Sequence, residues 1–320
     1  MTEKRTENIR HTGRLAQIGI YFGKLLRMFV YQKDWKVLPI GAIIAALVTF
    51  VVGANMFVTQ EGTLYGTFAL TCVCIWNGFF NSIQVVCRER NILKREHRAG
   101  LHITSYIIAH MLYQLILCVL QTLVTVIICL LVRVKFPVEG VVTAWGLLDI
   151  SITILLTTYA ADMMALMVSC IVKNTTTAMT VMPFLLIFQL VFSGGMIQLE
   201  GPAENIKVAT IAHWGMDSMC TVGRFNSLPM VSLWNTLVQF KNIEVFGYKP
   251  LLAILKDVEA KNMVKDFTLW SGTFTGQKAY ESVASNVLQY WGFLILLLVI
   301  FVVVGVIALK FVDKDKRGDN

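Results

Sequence analysis

Residues 88–106, RERNILKREHRAGLHITSY, put five basic side chains between two long apolar runs, about 64–87 and 104–132. Arg88, Arg90, Lys94, Arg95 and Arg98 cannot sit in hydrocarbon, and Lys/Arg at this density between two apolar runs marks a cytoplasmic loop. That loop orients every other segment. The chain is 56% hydrophobic and 15% charged, whereas soluble domains carry roughly a quarter charged residues. An apolar excess of this size needs lipid as solvent. The net charge of +8 sits at the ends of the apolar runs. It therefore reads as orientation and contact with anionic headgroups, not as a nucleic-acid surface.

Six apolar runs, at about 37–58, 64–87, 104–132, 143–172, 175–196 and 287–312, are each long enough for a core needing about 20 residues. The predicted class is an all-α membrane protein of six transmembrane helices. Most of the 28 Lys and Arg residues fall on one side of this topology, and the short loops opposite hold only Arg133 and Lys135. Both termini are then cytoplasmic. Residues 1–36 form a cytoplasmic N-terminus with an amphipathic helix: Leu15, Ile18, Phe22, Leu25 and Phe29 recur at helical spacing, too polar overall to span. Residues 37–196 carry five spans and the loop 88–103. Residues 197–286 are external, with an interrupted apolar stretch, 206–223, expected to dip back into the membrane, and apolar positions from Val231 to Leu255 expected to fold as a cap. Residues 287–320 hold the last span and a cytoplasmic tail. The polar start, MTEKRTENIRHTGR, does not read as a cleavable signal. With no glycosylation sequon in the outer segments, a bacterial plasma membrane is expected.

Motifs for covalent chemistry are missing from the sequence. Gly23-Lys24 lacks the upstream glycine and following hydroxyl of a phosphate loop, so no ATP is expected on this chain. The five histidines are scattered and the seven cysteines read as small core residues, so neither a catalytic residue nor a metal set is expected. Asp162 lies inside the fourth run and Asp149 nearer its outer end. An acid within a span is a functional candidate. Asp162 either relays protons in a secondary carrier or hydrogen-bonds to Thr157, Thr158 or Tyr159.

The order Glu89-Arg90, Arg95-Glu96, Gly100, Ser105-Tyr106 and Ala109 resembles the loop after the second span of ABCG-like (type-2) ABC exporter permeases. Gln32-Lys33-Asp34-Trp35 is similar to the end of that family's connecting helix. Phe192-Ser193-Gly194-Gly195-Met196 resembles its FSG signature, and Trp214-Gly215-Met216-Asp217 stands where it has an aromatic re-entrant segment. The resemblance implies a cytoplasmic coupling helix in which Glu89, Arg90, Arg95, Glu96 and Gly100 hold an elbow and meet an ATPase. It implies a pathway between two permeases lined by Asn77, Phe80, Asn81, Gln84, Thr180, Phe184, Ile187 and Leu190, with Phe192, Gly195 and Met196 at its outer gate. Asn77 and Asn81 serve equally as interhelical hydrogen-bonding groups. Gly195 and Met196 replace the paired leucines of some members, a proline common early in the third span is missing at 112–114, and Cys220 stands alone outside.

The resemblance implies two separate ATPase subunits carrying ATP and Mg, a second copy of the permease, no cofactor on this chain and no nucleic acid. The expected function is ATP-driven export of a hydrophobic or amphipathic substrate: a peptide, a lipid or a drug-like molecule. The alternatives are a proton-coupled secondary transporter using Asp162, and a non-transporting receptor or scaffold with the external segment as sensor.

Overall fold

The computed structural model describes residues 13–31, 35, 37–195, 199, 201–263 and 276–310. Gln32, Lys33, Asp34 and Met196 lie outside the described residues, as do the charges expected before residue 13 and after residue 310. Seven helices run from α1 (Arg14–Tyr31) through α2 (Val37–Val52), α3 (Gln60–Ser82), α4 (Val85–Arg98), α5 (Ile103–Leu131) and α6 (Gly146–Ile171) to α7 (Thr175–Val191). A 3-10 turn (Gly201–Ala209) leads into α8 (Ile211–Val222), α9 (Val231–Gln239), α10 (Pro250–Ala260) and α11 (Ala284–Lys310). Among the described residues the only β pairings are the isolated bridges Glu139–Trp145 and Val245–Tyr248.

Among the described residues, four stretches are helical, long and apolar enough to cross a membrane: Gln60–Arg98, α5, α6 and α11. Two apolar helices are shorter than their sequence runs. α2 stops at Val52, where Gly53 begins a turn, and α7 stops at Val191, before Gly194 takes φ +75°. α3 starts at a capped end: the Thr59 hydroxyl accepts the Gly62 N–H at 3.1 Å, and Glu61 sits in the first turn, where a negative charge complements the exposed amides.

The core forms around α6, which packs on α3, α5, α8 and α11. Gly78 sets the α3–α6 distance: a Cβ there would lie 2.4 Å from the Thr158 carbonyl oxygen and 2.7 Å from the Asp162 nitrogen. At the end remote from α4, Asp149 accepts the backbone N–H groups of Val141 (2.7 Å), Val142 (3.0 Å) and Thr143 (3.0 Å), tying the 132–145 loop to the first turn of α6.

The stretch expected to dip into the membrane divides into the 3-10 turn and α8. α8 is enclosed by protein: every side chain but His213 is buried. Its first amides, Ile211 N–H and Ala212 N–H, donate to Oε1 of Gln189 at 2.7 and 3.3 Å, so α7 caps α8. Ser218 lies 3.0 Å from Thr153, Cys220 3.2 Å from Thr67, and Trp214 stacks on Phe293 at 4.1 Å. The expected external cap is looser. Among the described side chains of 231–263 only Leu255 is buried, and Phe246 is 99% exposed.

Candidate functional site

The basic loop is a helix, and both of its ends are completed by other parts of the chain. α4 continues α3 after a bend at Ile83 and Gln84, and Gln84 makes no side-chain cap. Its free N–H groups at Val86 and Cys87 donate instead to the Ser169 hydroxyl of α6, at 3.0 and 3.1 Å. α4 in turn completes α6. The Arg90 guanidinium is buried and donates from Nη1 to the carbonyls of Cys170 and Val172, both at 3.0 Å, where α6 runs out of its own donors. Arg90 therefore points into the protein.

The far end of α4 closes by a turn only glycine takes comfortably. Gly100 adopts φ +106°; its N–H donates to the His97 carbonyl, and the Leu101 N–H reaches back to that of Glu96, both at 3.0 Å. α1 holds this turn. Gln17 donates to the Gly100 carbonyl at 3.2 Å and accepts the His102 N–H at 3.0 Å, while Ser105 donates to the Arg14 carbonyl at 3.1 Å. The Tyr21 hydroxyl donates to Glu96, and its ring meets Tyr106 edge-on at 5.6 Å. Burial, then the Glu96 bond, pushes the Tyr21 phenol well above its ordinary range, which keeps it a donor. Lys24 completes the contact, 3.8 Å from Glu89. Glu89 and Glu96 thus face α1. Arg88, Asn91, Ile92, Arg95 and Arg98 are exposed, spaced along one face of α4.

Above the bend, α3, α5 and α6 meet at buried polar groups. Asp162 accepts from the Ser82 hydroxyl, from Asn81 Nδ2 at 3.1 Å and from the Cys118 thiol at 3.4 Å. Asn81 and Gln121 exchange two amide hydrogen bonds of 2.9 Å. This corrects the expectation for Asp162: its partners come from α3 and α5 and not from Thr157, Thr158 or Tyr159 of its own helix. Thr157 instead bonds back to the Thr153 carbonyl, and Tyr159 donates to that of Met111.

Residues 25–204 match the family described as ABC-2 type transporter, over more than half of the chain. The chain belongs to the ABC-2 type transporter family. It is also 28% identical over 239 residues to the ABC transporter ATP-binding/permease protein Rv1747 of Mycobacterium tuberculosis. That alignment covers 68% of this chain and 27% of the relative, so the chain spans about a quarter of the relative's length.

In this ABC-2 permease the residues expected to line a pathway divide into two groups. Phe80 is 42% exposed on α3, and on α7 Thr180, Phe184 (69%) and Ile187 (58%) form an outward stripe with Leu190 half-buried at its end. Asn77 is buried facing α2, where a Cβ on Gly41 would come within 2.8 Å of its Oδ1. Asn81 is engaged with Gln121 and Asp162. Both amides sit between helices of one chain. Phe192 is half-buried with its ring 5.1 Å from Phe188, and Gly195 is buried so close to α8 that a Cβ would meet Met216 Sδ at 2.5 Å.

Ser169, Gln17, Tyr21 and Ile92 are the elbow residues that sequence reading missed. Ser169 and Gln17 bond to backbone more than 80 positions away, and no local pattern marks such a pairing. Ile92 was within reach, as the one aliphatic side chain at helical spacing from Arg88 and Arg95 on the exposed face.

Proposed function

We propose that this permease moves a hydrophobic or amphipathic substrate outward, as one half of a paired pathway driven by ATP hydrolysed on an associated ATPase. In this reading α4 is the coupling helix, on the cytoplasmic side of a bacterial plasma membrane. α2 and α7 complete six spans, and both termini are cytoplasmic. The ATPase belongs either to separate subunits or to the same polypeptide, as the name of the mycobacterial relative has it. ATP binding pushes α4, and the push reaches α6 through Ser169 and Arg90 and α1 through Gln17 and Tyr21. A helix fastened this way cannot yield locally. The membrane part supplies a two-state pathway, and the nucleotide supplies the free energy.

The observation that carries the reading is the pairing of a fully fastened inner face of α4 with an exposed cationic face centred on Ile92. A loop needed only for topology requires no such anchoring. The test is ATP hydrolysis by the native assembly in proteoliposomes, wild type beside Arg88→Glu/Arg95→Glu. The reading expects at least a tenfold loss of hydrolysis with an unchanged thermal midpoint. Unchanged hydrolysis in the folded variant sinks the coupling role. The carrier alternative centres on Asp162. Its three neutral donors already occupy both oxygens, which favours a structural acid, so Asp162→Asn should retain ATP-driven flux. Flux that needs Asp162 and an imposed proton gradient, and no nucleotide, would favour the carrier.

A further inference from the structure

A cavity of about 320 Å³ lies past the end of α7, bounded by the turn at 193–194, the 3-10 turn at 201–209, α8 and residues 277–280. Its volume is roughly ten times a water molecule's share of the liquid, about 30 Å³. His213 and Asp217 line it from α8, one turn apart on a single face. Asp217 is 3% exposed, and among the described residues its carboxylate has a single polar neighbour, His213 Nδ1 at 3.3 Å. The other two buried acids, Asp149 and Asp162, each take three donors. Tyr280 lines the same cavity, and its buried hydroxyl makes no hydrogen bond among the described residues. Neither group is sealed off, as the unpaired atoms of His110 and Gln114 are: the Asp217 side chain keeps 5% of its surface open to water, and the cavity is where it meets water. Buried polar atoms in folded proteins are nearly always paired, so an under-paired carboxylate and hydroxyl on one cavity point to an occupant.

The required chemistry can be read from the walls. Lys207 bonds to Glu204 at 3.0 Å, so the charges from the 3-10 turn cancel. Burial, then Lys207, brings His213 down to about 4, which leaves its imidazole neutral. Cys220, on α8 itself, lies 3.2 Å from Thr67, and Tyr290 of α11 donates to the Ala279 carbonyl at 2.6 Å. Asp217 therefore carries the one uncompensated charge, and the Tyr280 oxygen stands free to accept. Leu199, Met216 and Ala279 supply apolar surface. A metal ion suits this set poorly, because no three His, Cys, Asp or Glu side chains converge among the described residues. A primary ammonium brings three donors and one positive charge; a trimethylammonium brings the charge alone. We infer that this cavity binds the primary ammonium group of an amphipathic amine, either a soluble amine or an aminated lipid headgroup. The ammonium lies against Asp217 and Tyr280, and the adjoining methylenes lie against the apolar surface. This site goes beyond the export reading, and its test uses neither nucleotide nor flux.

The experiment is fluorine NMR of 4-fluorobenzylamine titrated against the full chain in phosphatidylcholine nanodiscs, with empty nanodiscs as blank. Unlabelled benzylamine should displace the probe at concentrations at least tenfold lower than benzyl alcohol or benzyltrimethylammonium, since a charged hydrogen bond is worth that much or more. Asp217→Asn, close in shape, should weaken the probe at least tenfold, and Tyr280→Phe should weaken it by a smaller factor. Burial pushes the Asp217 carboxyl up to about 7. Lowering the pH through that value protonates it while the amine stays charged, so binding should tighten about tenfold from pH 6 to pH 8. Should Asp217→Asn fail to fold, this wild-type profile decides, and a flat one overturns the site. Equal displacement by benzylamine and either analogue, or unchanged binding in folded Asp217→Asn, also overturns it. Dihexanoyl phosphatidylethanolamine displacing the probe at lower concentration than benzylamine supports a lipid headgroup as the source of the ammonium; the reverse order supports a soluble amine.

Discussion

A guanidinium taken into a protein must find acceptors for its N–H groups, and Arg90 finds two where α6 ends. We expect Arg90→Ala to lower stability by about 2–4 kcal/mol, because it removes charged hydrogen bonds and leaves carbonyls unpaired in a buried place. Thermal unfolding in detergent measures this, and Arg95→Ala, on the exposed face, should leave the midpoint unchanged. Gly78 acts by what it lacks. Gly78→Val places a side chain into the Thr158 carbonyl, so it should cost about 1–3 kcal/mol or more by forcing α3 from α6. The readout is the yield of folded chain in membranes and its unfolding midpoint. Asp162→Leu should destabilise more than Asp162→Asn, since leucine strands the donors of Ser82, Asn81 and Cys118 while an amide still accepts.

At the scale of elements, the Ser169 hydroxyl serves as the N-cap of a helix far away in sequence. Ser169→Ala should cost about 1 kcal/mol, the usual effect of a lost cap, and Ser169→Thr should restore part of it. Either would appear in the unfolding midpoint. Most elements were legible before their contacts were. The spacing from Leu15 to Phe29 placed α1, the apolar runs placed α5, α6 and α11 within a few residues, and Gly100 marked the turn it makes. Periodicity carries that information because each helix must present its own apolar stripe. Caps, partners and burial belong to pairs of elements. Hence Arg90 was placed in the elbow without its partners, the Cys170 and Val172 carbonyls, the hydrogen-bonded alternative for Asp162 named only its own helix, and the groups that enclose α8 were not named. The amides Asn77 and Asn81 were placed on the correct helix, but the face each presents depends on how closely Gly41 and Gly78 let the neighbours approach.

Among the described residues, α7 presents an exposed stripe from Thr180 through Phe184 to Ile187. In the proposed pair this face and Phe80 border the second copy. Ile187→Cys should then give a covalent dimer with a short bifunctional thiol reagent in membranes. The wild type should not, because six of its seven cysteines are buried and Cys72 is half-buried. Monomer alone from the variant would argue against a pairing through α7. One feature of the elbow bears on how the chain opens. The first amides of a helix normally fray and trade their protons with solvent within the local opening time. Val86 and Cys87 are bonded to Ser169, and the end of α6 is bonded to Arg90, so neither terminus can loosen while the other holds. Their deuterium uptake should follow that of the α6 interior, with the two helices opening as a single unit.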